Sequence, residues 1–384
     1  MKTSQRTYKL LVLLAISFVN GVSVALLAYI LSSFLGGITG PKFVGLFFTI
    51  SSVATLLAIH YFSYFINRLG KFYSLIILLT FNILALIGLG LIGATGPALI
   101  LYVIYSVAAT LVWVNLDVFI EYFSKDAETG RIRGANLTIM NLGWVFGPFL
   151  SGFLLERYGF SFLFYLAAFI LIPVLLMVVY TFQKNETKFD RPAKIGQVAR
   201  LIFKRKSLKS IFYISFLLQF FYSWMVIYTP LYLRSLDFSW ELIGQIFTVM
   251  LLPFVFFQFP VGYLADRYFG EKEMLTLGLV IMSLATVGLF FISTPLAIGA
   301  VLFLTRVGAS TVEILRDSYF YKQINAAEID LIDYFRNTGP LAYIISPLIA
   351  TGLLLFLPMS ALFIILGLFC LTGLIFSLTM PDTK

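Results

Sequence analysis

The chain's richest chemistry lies in one apolar stretch, residues 296–320, which carries Arg306, Glu313, Arg316 and Asp317. Wound as a helix at 100° per residue, Arg306, Glu313 and Asp317 fall within about 40° of one another and form one polar stripe. A guanidinium and a carboxyl on one face can bind a charged solute or pass a proton; equally, they can pair and make each other tolerable where water is scarce. Asp117 and Glu121 form a second acidic pair one helical turn apart, preceded by Trp113 and Asn115. Gln219, Tyr222, Trp224 and Tyr228 could line a cavity for an amphiphilic or apolar solute. With 41 Phe and 21 Tyr in the chain, aromatic side chains also serve as packing and lipid contact. Asn20 and Ser23 are the polar residues of a charge-free first stretch. His60, the one histidine, reads as a structural hydrogen-bonding residue rather than a proton relay. The single cysteine, Cys370, excludes an intrachain disulfide and a Cys-rich metal site. The chain has no Walker-type phosphate loop and no nucleophile–base set, so neither ATP drive nor enzyme catalysis is expected, and no cofactor or metal is called for.

The element that must position these residues is the membrane-spanning helix. Sixty per cent of the residues are hydrophobic, 12% are charged and the mean hydropathy is +0.97; a soluble chain carries about 25% charged residues. Residues 10–41, 72–116 and 337–381 carry no charge at all. Each run exceeds the roughly 20 residues that cross a bilayer, and in a bilayer core such segments must satisfy their own backbone as helices. Twelve spans are expected, at 10–34, 42–66, 72–93, 97–121, 132–155, 159–182, 210–233, 240–265, 273–293, 296–320, 331–356 and 359–380, with turns such as Gly36–Pro41 and Gly93–Pro97 between them. Gln183–Lys209 is the longest polar segment and holds nine Lys/Arg. It divides the chain into an N-terminal bundle (1–182), a basic central loop (183–209) and a C-terminal bundle (210–384). Within that loop, Ile195–Phe203 suits a short amphipathic surface helix. The first apolar run is too long for a signal-peptide core, so no cleavable leader is expected.

Charge distribution sets the orientation. Twenty-one of the 27 Lys/Arg lie in the N-terminus, the C-terminus and alternate loops, against Lys42, Arg157 and Arg234 in the opposite loops. The positive-inside rule then places both termini and the central loop in the cytoplasm, with the protein in the cell's inner (plasma) membrane. The net charge of +9 is thereby a matter of topology, not of nucleic-acid binding. Span ten enters from outside near Leu296, so Arg306 sits roughly 15 Å deep, near the bilayer centre, and Glu313 about two turns nearer the cytoplasm.

The chain also repeats itself. Gly262-Tyr-Leu-Ala-Asp266-Arg267-Tyr-Phe-Gly270-Glu-Lys272 follows span eight, and a degraded copy, Ser63-Tyr-Phe-Ile-Asn67-Arg68-Leu-Gly70-Lys71, lies about 199 residues earlier after span two. Asp117 and Asp317, Pro148 and Pro347, and Gly152 and Gly352 recur at 199 or 200 residues. Such internal repeats are the mark of polytopic proteins that move something across the membrane.

Six plus six spans, a basic central loop and this turn resemble the major facilitator superfamily, whose signature between the second and third helices reads Gly-x-x-x-Asp-Arg-x-Gly-x-Lys/Arg. The second copy keeps Gly262, Asp266 and Arg267 and has one extra residue before Gly270; the first has Ser63 and Asn67 at the glycine and aspartate but keeps Arg68, Gly70 and Lys71. A second resemblance, to the fifth-helix motif common in the superfamily's exporters, rests on Gly134, Gly143, Gly147, Pro148, Ser151 and Gly152. Physically, small residues allow close helix approach and proline bends the helix; plain packing in a membrane helix explains the same pattern.

The resemblance implies an all-α integral membrane protein of two pseudo-twofold-related six-helix bundles, with spans 1, 4, 7 and 10 lining a cavity. It implies a secondary transporter working by alternating access. The reading adopted is proton-coupled export of a small amphiphilic compound; a uniporter or symporter for a small polar metabolite, and a receptor without flux, are the alternatives. Its partners are then a small-molecule substrate, protons or another coupling ion, and the lipid bilayer, with the protein a monomer. Arg306, Glu313, Asn20, Tyr222 and Trp224 are the candidates for substrate binding and proton coupling, with Glu313 the proton carrier. A cytoplasmic gate is expected from Asn67, Arg68, Gly70, Lys71, Asp117 and Glu121, the acids meeting Arg68, Lys71, Arg131 and Arg133. Its mirror set is Gly262, Asp266, Gly270, Arg316 and Asp317 with Arg267 and Arg336. For the topology, a reporter active only in the cytoplasm is expected to be active when fused after Lys194 and silent when fused after Gly93; the reverse pattern overturns the orientation.

Overall fold

The charge-free runs fold as helices throughout. The computed structural model describes residues 3–123, 129–182, 202, 204–324 and 330–381, and contains no strand among them. Nine helical segments among the described residues are long and apolar enough to cross a membrane. Two are double-length: Val44–Ile92 spans 49 residues and Thr129–Thr181 spans 53. Each breaks at a glycine of positive φ, Gly70 (φ 78°) and Gly159 (φ 74°), so each supplies two crossings joined by a tight turn. The expected eleventh span appears as Asp330–Arg336 followed by Thr338–Leu354. The helices are thus consistent with twelve crossings.

Backbone geometry explains which residues the two copies of the turn share. Gly70 and Gly270 (φ 87°) both reverse the chain through the left-handed region, where an L side chain is strained and glycine is not. That is why the glycine survives in both copies while Gly262 and Asp266 are matched by Ser63 and Asn67. The extra residue of the second copy is absorbed in a π-helical turn, Ala265–Phe269, closed by the Gly270 N–H donating to the Ala265 carbonyl at 2.9 Å. Such single-turn widenings are how helices accommodate one inserted residue. Span eight is itself broken, running Trp240–Leu251, Pro253–Phe256 and Gln258–Leu264, as expected where Pro253 withdraws a backbone donor.

The chain divides into two compact units, Met1–Asp190 with Ser239–Gln245, and Arg191–Phe238 with Ile246–Lys384. In the first, the fifth-span glycines do the packing expected of them. A Cβ on Gly143 would lie 3.2 Å from the Val22 nitrogen, and one on Gly147 would lie 2.6 Å from the Ala25 Cβ. The Ser23 hydroxyl donates to the Ala167 carbonyl at 3.0 Å, tying span one to span six. Pro148 lies within the same helix. The side-chain surroundings of Gly134 fall outside the described residues. Ser239–Gln245 clusters with this unit, although span order alone would assign it to the second half. Gly152 and Gly244 meet with a would-be Cβ 2.9 Å from the facing Cα, the Trp240 N–H donates to Glu156 at 2.6 Å, and Arg157 pairs with Glu241 at 3.7 Å.

In the second unit, spans nine (Glu271–Gly288) and ten (Pro295–Gln323) cross at Gly278 and Gly308. A Cβ on Gly308 would lie 2.6 Å from the Gly278 carbonyl oxygen and collide with Met282 backbone. Gly308→Ala should therefore destabilise the protein by about 1–3 kcal/mol through overpacking. Gly352 has open space around its Cβ position, so Gly352→Ala should leave the melting temperature in detergent unchanged or raised. Equal melting temperatures for the two variants would contradict the close crossing.

Candidate functional site

Span ten begins with Pro295 at its first turn, where the missing N–H costs nothing. It buries Leu302, Ala309, Val312 and Leu315 against its neighbours. That orientation turns the stripe of Arg306 and Glu313 toward spans seven and eight. The Glu313 carboxylate accepts hydrogen bonds from the Tyr222 hydroxyl at 3.3 Å and the Gln258 amide at 3.2 Å. Tyr222 comes from the span-seven helix Lys206–Ser235, and Gln258 opens the last helix of the broken span eight.

Arg306 is 1% exposed. Its guanidinium carbon lies 5.1 Å from the Phe221 ring centroid and 5.7 Å from that of Tyr222. Its Nε and Nη1 have no hydrogen-bond partner among the described residues. The structural ion pair that the sequence allowed between Arg306 and Glu313 is therefore not formed. The carboxylate is held by neutral donors and the guanidinium by ring faces, a weaker arrangement for a buried cation than a matched carboxylate.

Arg316 behaves differently. It donates from Nε (2.9 Å) and Nη2 (2.7 Å) to Asp317 and from Nη1 to Ser215 at 3.2 Å, and it lies over the Phe335 ring at 5.1 Å. Ser215 and Thr338 share a hydrogen bond of 2.8 Å, linking spans seven, ten and eleven. Trp224 was expected beside the substrate, but the structure does not bring it to Glu313. Its Nε1 donates to the Ser346 carbonyl at 2.7 Å, and its ring packs on Phe220 and Tyr228. Asn20 belongs to the first unit, buried with both amide atoms unpartnered among the described residues.

The basic turns also find unexpected partners. Lys71 is buried with its Nζ over the Tyr122 ring at 2.8 Å, and the Phe119 and Phe123 rings stand at 5.5 and 5.7 Å. The expected meeting of Lys71 with Asp117 is thus replaced by an aromatic cage. The reason is geometric: Gly70 reverses the chain immediately before Lys71 and turns it inward against span four, where the Asn115 amide donates to the Lys71 carbonyl at 3.2 Å. Asp117 is partly buried on that helix. The side chains of Glu121, Arg131 and Arg133 lie outside the described residues. Around the first turn, Arg68 follows Asn67 within the helix that Gly70 interrupts.

In the second copy, Asp266 pairs with Lys322 at 3.0 Å, and Lys322 also pairs with Glu271, whose carboxylate accepts from the Ser318 hydroxyl at 3.2 Å. Arg267 donates to the Tyr263 hydroxyl, and Asp317 holds Arg316. The expected set of Asp317 with Arg267 and Arg336 is in this way rearranged. Arg336 ends the short helix Asp330–Arg336, and a Cβ on Gly262 would make ordinary contact with Ile314 Cγ1 at 3.8 Å. Gln258, Lys322, Glu271 and Ser215 were missed by sequence reasoning. The Glu271 position, in the first turn of a helix where a negative charge is favoured and just after the repeated glycine, was the one available signal.

This network predicts unequal losses. The Glu271 side chain is 2% exposed and that of Asp266 63%. Lys322→Met removes the charge paired with the buried Glu271 carboxylate and should cost more stability than Asp266→Asn, which removes an exposed pair worth at most about 1 kcal/mol. Unfolding midpoints in detergent that rank the other way would refute the pairing.

Ionisable side chains clustered inside an all-helical, multi-pass membrane protein mark a functional site. The Major Facilitator Superfamily model matches residues 13–327, most of the chain, and the chain belongs to that superfamily. Members of that superfamily are transporters, not enzymes. The "Multi-drug resistance efflux pump PmrA homolog" of Lactococcus lactis subsp. lactis (strain IL1403) is 21% identical over 257 residues, covering 65% of this chain; the match spans 63% of that relative's length. The crystal structure of a mutant form of the nucleoside transporter NupG is similar with a TM-score of 0.77 over 97% of this chain and 99% of that one. At 14% identity, that likeness is one of fold.

Proposed function

We propose that the protein is a proton-coupled secondary transporter that exports a small amphiphilic compound by alternating access, with Glu313 carrying the proton. The observation that carries this reading is the bonding of the Glu313 carboxyl to Tyr222 and Gln258. A phenol and a primary amide each both donate and accept, so the same two partners serve the ionised and the protonated carboxyl. An ion pair to Arg306 would have fixed one form. The Tyr222 ring beside both groups suits the apolar part of an amphiphile. The export direction is supported by the fifth-span glycines and by the name of the efflux relative. In this reading the Asp266–Lys322–Glu271 cluster and the caged Lys71 are the cytoplasmic gate elements. Both termini face the cytoplasm of the inner membrane, and the monomer is the working unit.

A thermal-shift screen of the purified protein against metabolites and amphiphiles supplies a transported compound. In liposomes, Glu313→Gln should then abolish transport driven by a pH gradient. Full pH-driven transport by that variant overturns the coupling role and leaves uniport as the mechanism.

A further inference from the structure

Four charged groups share span ten between residues 306 and 317, and their pairing is uneven. Arg316 and Asp317 cancel through two hydrogen bonds. The other two are unmatched among the described residues: Arg306 is buried with Nε and Nη1 unpartnered, and Glu313 has the neutral donors Tyr222 and Gln258. Their charges sum to zero when Glu313 is ionised, the state in which a proton-exchanging carrier meets its substrate. A solute of net charge then leaves one charge uncompensated where little water can solvate it. A solute bearing one cationic and one anionic group gives each side chain an opposite partner and adds no net charge.

The geometry sets the spacing. Tyr222 bridges the two groups, with its ring 5.7 Å from the Arg306 guanidinium carbon and its hydroxyl 3.3 Å from the Glu313 carboxylate. The two groups are thus separated by one tyrosine side chain, and a para-substituted benzene is the probe that matches it. Among the described residues, the groups facing Glu313 are Tyr222 from span seven, Gln258 from span eight, and Arg306, Arg316 and Asp317 from its own helix.

We propose that this cluster binds a zwitterionic amphiphile, its anionic group on Arg306 and its cationic group on Glu313 in place of the proton. The proposal rests on Glu313 being the proton carrier and names the class of substrate for that site. It requires the proton and the cationic group to compete, so the zwitterion binds more tightly as pH rises and Glu313 loses its proton.

The test uses the full-length protein in detergent and three probes of one shape: 4-(aminomethyl)benzoate, 4-methylbenzoate and 4-methylbenzylamine, with affinities measured by calorimetry at fixed pH. The zwitterion should bind at least about tenfold more tightly than either single-charge probe, the worth of one charge-assisted hydrogen bond. Arg306→Ala should reduce the zwitterion to the affinity of 4-methylbenzylamine, with Arg306→Lys intermediate because the ammonium lacks the planar fork. Glu313→Gln should reduce it to that of 4-methylbenzoate and flatten its pH dependence. Equal affinity of the three probes for the wild type, or no binding by any, overturns the proposal, and needs no variant to fold. The two readings also fail separately. If Glu313→Gln abolishes pH-driven transport while the probes bind alike, the coupling role stands and the zwitterion falls. If the probe series holds while pH-driven transport survives Glu313→Gln, the binding site stands and the coupling falls.

Discussion

A charge removed from water must be cancelled nearby, and the arrangement of the second unit follows from how each charge meets that demand. Arg316 meets it within its own helix, through Asp317, and spends its remaining donor on Ser215. Glu271 meets it through Lys322. Lys71, in the first unit, meets it with ring faces in place of a carboxylate. Arg306 meets it least, with the rings of Phe221 and Tyr222 beside it. The fold is otherwise built to avoid the problem, with long charge-free helices that need no partners. A charge left half-answered in such surroundings costs stability, and such sites are where function is concentrated.

Much of this was legible in the residues. Three charge-free runs, each longer than a bilayer crossing, announce helices because no other structure satisfies a backbone in lipid. The glycines of span five announce close approach, and Gly143 and Gly147 do lie against span one. The stripe of Arg306 and Glu313 is arithmetic on a helix. What the sequence withholds is the partner across helices. Gln258 and Lys322 lie 55 and 56 residues from the carboxylates they meet, and no periodicity links helices that far apart along the chain. The aromatic cage of Lys71 was illegible for another reason: among so many Phe and Tyr, nothing in composition marks which rings will face a cation.

The misplaced expectations share one cause. Opposite charges near the same membrane face were expected to pair, which failed for Lys71, while Asp317 holds Arg316 in place of Arg267 and Arg336. Pairing is decided by where the turn glycine points the following side chains. Gly70 aims Lys71 inward, whereas Gly270 aims Glu271 at Lys322 and Ser318. Equivalent turns therefore deliver different electrostatics to the two halves, because the residue after the glycine is a base in one and an acid in the other.

The five-residue wide turn at Ala265–Phe269 has a further consequence. An inserted residue in a helix ordinarily rotates everything beyond it by about 100°, so that faces which packed on neighbours would point into lipid. Here the widening takes up the insertion, and the glycine directly after it resets the backbone direction. The helices on either side keep their own faces. The turn thus works as an expansion joint: a helix can change length by a residue at this point and still present the same surfaces, without disturbing the span that carries the charges.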